Sequence, residues 1–169
     1  MIDNQLIVNV TPQQAAQLGC NMFQLYYPGN RITFSIADGK WEIRQDNKPL
    51  KTGEASKEWT AFLLGVHNPI NEKVTFYDCW QSDDLSMVGS QYRNRVMLLK
   101  TMTPWLLDWM SLADNYRITD FEAVWKSHVE SGQYPGVIFR KSSDTCLSPR
   151  YIYLKTPTNQ NNEDGSNPR

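Results

Sequence analysis

The chain has few of the residues from which metal centres and disulfide frameworks are built. Its three cysteines, Cys20, Cys79 and Cys146, are widely separated and never paired as Cys-x-x-Cys. That spacing argues against a zinc site and against a secreted disulfide scaffold. Two histidines, His67 and His128, are too few for a histidine-rich centre, because most transition-metal sites draw several such ligands into one shell. An excess of either charge is also lacking: 17 Lys+Arg against 18 Asp+Glu give a formal net charge of -1. No global field therefore draws the chain to nucleic acid or anionic lipid, although a local basic groove remains allowed. No apolar run approaches the roughly 20 residues that cross a bilayer. The start Met1-Ile2-Asp3-Asn4-Gln5 lacks the basic and apolar segments of a signal peptide. These absences predict a soluble, cytoplasmic protein with no membrane partner. Phosphate loops, dinucleotide fingerprints, nucleophile elbows and zinc-protease helices are missing too.

What is present is a core. With 169 residues, 40% hydrophobic and 12% aromatic, the chain can bury one sizeable interior. Thr11-Pro12-Gln13-Gln14 is a helix start, ended at Gly19. Arg31 to Ile36 and Lys40 to Arg44 alternate like strands around an Asp38-Gly39 hairpin turn. Trp59, Phe62, Leu63 and Val66 fall at helical spacing and predict a second helix opened by Ser56. Val74 to Trp80 is the most β-prone run. The stretch Tyr92 to Met110 predicts two helical pieces divided at Thr103-Pro104, with Trp105 and Trp109 in the core. Thr119-Asp120 opens a further helix, with Trp125 inward, that ends at Gly132. Val137 to Arg140 and Tyr151 to Lys155 close the fold as strands. The sum is α+β: a single domain over 1–157, with a largely antiparallel twisted sheet and flanking helices, then a disordered polar tail over 158–169.

The order of features in the second half carries a resemblance. Val74-Thr75-Phe76-Tyr77-Asp78-Cys79-Trp80, then Asp84-Leu85, then Tyr92-Arg93-Asn94-Arg95 before a Leu-rich helix resembles the middle of ATP-dependent DNA ligases. Tyr134-Pro135-Gly136-Val137-Ile138-Phe139-Arg140-Lys141 is similar to the Glu-Gly-Val-Val/Ile strand of ligase and mRNA-capping nucleotidyltransferases. Tyr151-Ile152-Tyr153-Leu154-Lys155 looks like their terminal lysine strand. The resemblance implies a nucleotidyltransferase-like fold, ATP and a divalent cation such as Mg as cofactors, and a nucleotide and DNA or RNA ends as partners. It implies a lysyl-nucleotide intermediate, for which a lysine must lose its proton and cations must neutralise the transferring phosphoryl group.

By that resemblance Lys155 contacts phosphate, Phe76 or Tyr77 stacks on the base, and Arg95 and Arg140 add positive charge beside Gly136. For the family's Lys-x-Asp-Gly nucleophile motif there are two candidates. Ile36-Ala37-Asp38-Gly39 keeps Asp-Gly and loses the lysine, whereas Lys40-Trp41-Glu42-Ile43-Arg44 keeps lysine, acid and arginine and loses the glycine. Pro135 stands where a metal-binding glutamate is expected, and the closing strand has one lysine where the family has two. The trimmed motifs imply a reduced, phage-type ligase relative acting through Lys40 and Lys155. The alternative is a non-catalytic binding or inhibitor protein that engages a protein or nucleic-acid partner.

Overall fold

The computed structural model describes residues 6–56, 58–83 and 85–155; the expected polar tail over 158–169 lies outside them. In chain order the elements are β1 (Leu6–Val8), α1 (Pro12–Gln17), β2 (Met22–Leu25), β3 (Asn30–Ala37), β4 (Lys40–Gln45), β5 (Lys48–Glu54), β6 (Ala61–His67), β7 (Val74–Ser82) and β8 (Leu85–Ser86). They continue with α2 (Tyr92–Thr101), β9 (Met110–Leu112), β10 (Asn115–Arg117), α3 (Phe121–Val124), β11 (Gly136–Arg140) and β12 (Arg150–Leu154). The α+β, largely antiparallel expectation holds, with the strands divided between two sheets. Sheet A runs β1-β12-β11-β2-β10; sheet B runs β5-β4-β3-β6-β7-β8, with β9 parallel to β7.

Local chemistry accounts for the elements that were foreseen. Thr11 and Gln14 cap α1 reciprocally, with Pro12 at the first helical turn. Asp38 and Gly39 both hold positive φ, 54° and 80°, the conformation a tight two-residue hairpin between β3 and β4 requires. The second helix is corrected: Ala61–His67 is a strand in the middle of sheet B, paired to β3 on one side and β7 on the other. Its run Ala-Phe-Leu-Leu-Gly-Val-His is nearly continuously apolar, and a short run buried on both faces mimics helical spacing without being helical. Beyond Pro104 the second helical piece is likewise corrected. A single 3-10 turn (Thr103–Trp105) leads into the chain that becomes β9.

Each sheet packs its own core on its outer face. Ile32, Phe34, Ile36, Ile43, Leu63 and Phe76 of sheet B meet Leu99 and Met102 of α2 and its C-cap. Phe23, Leu25, Val137, Phe139 and Tyr151 of sheet A meet Phe121, Val124 and Val129, where α3 continues as a π-helical turn (Trp125–Val129). Strand alternation leaves the opposite faces, carrying Gln24, Ile138, Arg140, Arg150 and Ile152 on sheet A and Arg31, Val66 and Tyr77 on sheet B, to confront one another.

Candidate functional site

A narrow cleft lies between those two inner faces. It is lined by Gln24, Tyr26 and Tyr27 at the end of β2, Arg31 and Tyr77 of sheet B, and Ile138 and Arg150 of sheet A. The inner slot has a volume of about 70 Å3, enough for a group the size of a phosphate and too small for a nucleoside. It adjoins a wider hollow of about 530 Å3 that shares Tyr27 and Val66 and is lined further by Asn68, Lys73, Thr75 and Tyr134.

The first turn of α2 holds the two sheets together beneath this cleft. Tyr92 and Arg95, one helical turn apart, are both wholly buried. The Tyr92 hydroxyl donates to the Tyr77 carbonyl at 3.0 Å and accepts from the Gln24 amide, so it joins β7 to β2. Arg95 donates to both oxygens of Asp78, from Nε at 2.7 Å and Nη2 at 3.2 Å. Its Nη1 donates to the carbonyls of Ser90 at 2.5 Å and Asp144 at 2.8 Å. Burial works against the Arg95 charge, yet the hydrogen-bonded Asp78 carboxylate more than offsets it and holds the guanidinium pKa above its usual value.

Arg140 has a different environment. It is 1% exposed, lies 3.7 Å over the Tyr92 ring, and approaches Asp78 only to 3.8 Å. None of its three guanidinium nitrogens has a hydrogen-bond partner among the described residues. The register pairing Phe139 with Tyr151 places Arg140 opposite Arg150 on the inner face. Arg150 is also buried, and its Nε is likewise without a partner among the described residues. Desolvation lowers the Arg150 pKa; the Tyr77 phenol works against that shift, and repulsion from Arg31 and Arg140 adds to it. Arg31 in turn donates to the Tyr77 hydroxyl at 3.2 Å. Arg31 and Arg150 therefore line the slot, with Arg140 beside Arg150, and Asp78, the carboxylate that Arg140 approaches, is held by Arg95.

The other residues singled out in the sequence are dispersed. Phe76 is wholly buried in the sheet B core, 5.1 Å from Phe34, so Tyr77 is the ring on the cleft side. Gly136 serves the close approach of β11 to β12: a Cβ there would stand 2.2 Å from the Tyr153 carbonyl oxygen. Lys155 donates from Nζ to the Glu130 carbonyl at 3.2 Å. Lys40 is exposed at the hairpin turn beside Ala37, six strand residues and roughly 20 Å from the Arg31 end of β3. Lys40 and Lys155 are thus not brought together, and neither lines the slot.

Sequence reading passed over Arg31, Arg150, Gln24 and Tyr26. Arg31 carried a signal, being a cation at the head of an alternating strand whose apolar partners all fall on the other face. Gln24 and Tyr26 carried none, because β2 is short and was not foreseen.

Neither a protein-family model nor a curated protein matches the sequence. The fold does match solved structures. Against a mycobacterial DNA ligase D complexed with ATP and MES the TM-score is 0.61 at 14% identity, over 91% of this chain and 60% of that one. The ligase domain of LigD from M. tuberculosis gives 0.58 at 13% identity, covering 88% of this chain and 58% of that one. A Lig E DNA ligase, described as DNA binding with a minimal scaffold, gives 0.61 at 11%, over 92% of this chain and 70% of that one. At these identities the likeness is one of fold, and this chain spans about three fifths of the ligase D chain.

Proposed function

We propose, taking the ligase-type nucleotidyltransferase fold as the premise, that the inter-sheet cleft binds a nucleotide through its phosphates and forms no lysyl-nucleotide. The observation that carries this reading is a slot lined by Arg31 and Arg150, with the buried Arg140 beside Arg150 and no lysine among its described lining residues. A buried guanidinium without hydrogen-bonded partners is costly, and an oxyanion that accepts from it offsets that cost. The slot has the size of one phosphate group, and the wider hollow outside it has the size and polarity for a nucleoside. Tyr26, Tyr27 and Tyr77 offer ring faces or edges along the way. The mycobacterial ligase D of the same fold was solved in complex with ATP.

Tyr26-Tyr27-Pro28-Gly29, the segment that leaves β2 along the cleft, brings phenols and a glycine to the slot and no amine nucleophile. Burial pushes the neighbouring Tyr27 phenol up, away from the phenolate. The chain's own residues suit the phosphates of ATP better than a protein-held Mg2+, since Asp78 is committed to Arg95 and Pro135 offers no carboxylate. A divalent cation would therefore enter on the nucleotide. Supplied in that way, it would neutralise phosphate charge and compete with the arginines for it.

The test separates binding from chemistry. Titration with ATP, ADP and pyrophosphate, followed by calorimetry, should show saturable binding that weakens with added salt and is lost in Arg150→Ala. Labelled ATP should leave no label on the denatured chain. Failure of all three ligands to bind overturns the nucleotide reading. A label that survives denaturation and vanishes in Lys40→Ala, Lys73→Ala or Lys155→Ala restores the enzyme. Competition by 5′-phosphorylated DNA or RNA against ATP reports whether nucleic-acid ends share the slot.

A further inference from the structure

A second cavity lies on the outer face of sheet B, on the opposite side of the sheet from the arginine cleft. It has a volume of about 90 Å3 and is bounded by Phe34, Trp41 and Leu63 of the sheet, Met102 after α2, and Trp59 and Trp105. Among the described residues its charged or hydroxyl lining groups are those of Glu54 and Ser56, both exposed. Its opening follows from the chain path. Thr103-Pro104 ends α2 in one 3-10 turn, which lays Trp105 against Trp59, ring centroids 5.7 Å apart, instead of into the core. Trp105 is 62% exposed and Leu107 45% exposed beside a cavity lined by core residues.

We propose that this cavity is a binding site for a small neutral molecule: a single aromatic ring or branched alkyl group with at most a hydroxyl or similar donor at its outer end. An apolar cavity of this kind is poorly hydrated, so a hydrocarbon group gains dispersion contacts there without displacing well-bound water. The volume admits one ring and excludes a fused or extended one. At the entrance the Glu54 carboxylate accepts from a donor and repels a carboxylate ligand, and the Ser56 hydroxyl can accept or donate. Met102 gives the wall an adaptable side chain, and the indoles of Trp41, Trp59 and Trp105 provide flat contact area.

Benzyl alcohol and phenylacetate test this directly, because they share a ring and differ in the charge of the tail. Titrated into the full chain, benzyl alcohol should shift the indole N–H resonances of Trp41, Trp59 and Trp105 saturably. Phenylacetate should bind several-fold more weakly, and Glu54→Gln should narrow that gap. Ala55 also lines the cavity, and Ala55→Leu, which fills it, should abolish benzyl alcohol binding while ATP binding in the cleft is unchanged. Xenon under pressure should shift the same three resonances in the unsubstituted chain, and benzyl alcohol should suppress that shift. The site is overturned if benzyl alcohol gives no saturable shift, or if its binding persists in a folded Ala55→Leu. Equal binding of both ligands, unaffected by Glu54→Gln, overturns the charge selection. If ATP fails to bind while benzyl alcohol does, the cleft reading fails alone.

Discussion

Two arginines, Arg95 and Arg140, approach the same carboxylate, are equally buried, and have opposite surroundings. All of Arg95's hydrogen-bonding nitrogens are engaged by Asp78, Ser90 and Asp144, so its removal would leave a buried carboxylate with the Cys79 and Trp80 N–H groups but no close cation among the described residues. We expect Arg95→Met to cost roughly 3–5 kcal/mol in urea unfolding. Arg140→Met should cost far less, because the replacement keeps the contact with the Tyr92 ring and removes a charge without hydrogen bonds; it should instead weaken ATP binding. Equal losses of stability would show that Arg140 is a structural residue like Arg95. The sequence displays both arginines at plausible places and is silent on which has its donors satisfied, since the satisfying groups are carbonyls and carboxylates brought in by the tertiary fold. The parity of Phe76 and Tyr77 was legible: they alternate, and one had to be core. Which one was hidden, because the pairing of β6 with β7 is interrupted by two register shifts.

At the scale of elements, capped helices and tight turns were readable, since Thr11, Pro12, Asp38 and Gly39 each act through their own backbone. Strand β6 was not, because its identity depends on being flanked by β3 and β7, and the run itself fits either periodicity. The same dependence on neighbours governs Gly136. An added methyl there meets the Tyr153 carbonyl oxygen at 2.2 Å and the Leu154 Cα at 2.8 Å, and backbone atoms in a paired strand have no room to give. Gly136→Ala should therefore lower stability by about 1–3 kcal/mol and, by prising β11 from β12, displace Arg140 from Arg150. Parallel measurements of the urea midpoint and of ATP affinity check this; a variant as stable as the parent would mean that the two strands separate freely. Thr11→Ala, by contrast, loses one cap bond at the molecule's periphery. It should cost about 1 kcal/mol with ATP binding untouched.

For the molecule as a whole, the buried acids set an alkaline limit. Burial raises Cys20, Cys79 and Cys146 from 9.0 to about 11, and Tyr92 from 10.0 to about 12. The folded chain thus keeps protons that the unfolded chain gives up. Stability from these groups is complete below pH 9 and declines as pH rises towards 12. The urea midpoint should fall between pH 8 and pH 10.5, and Cys79→Ala should flatten part of that fall; a midpoint that stays level would exclude the linkage. The two sheets also differ in how their strands are drawn from the chain. Strands β3 to β8 of sheet B follow one another between residues 30 and 86, whereas sheet A gathers pieces from 6–8, 22–25, 115–117, 136–140 and 150–154. The parallel pairing of Ile7 with Tyr151 spans nearly the whole described chain. Contacts between sequence neighbours close with little loss of chain entropy and form early, so sheet B should gain amide protection before β11 and β12 in pulsed hydrogen exchange. Simultaneous protection of both sheets would refute that order. During synthesis, the arginine slot is accordingly the last part to be assembled: a ribosome must deliver residue 150 before Arg150 can line it with Arg31.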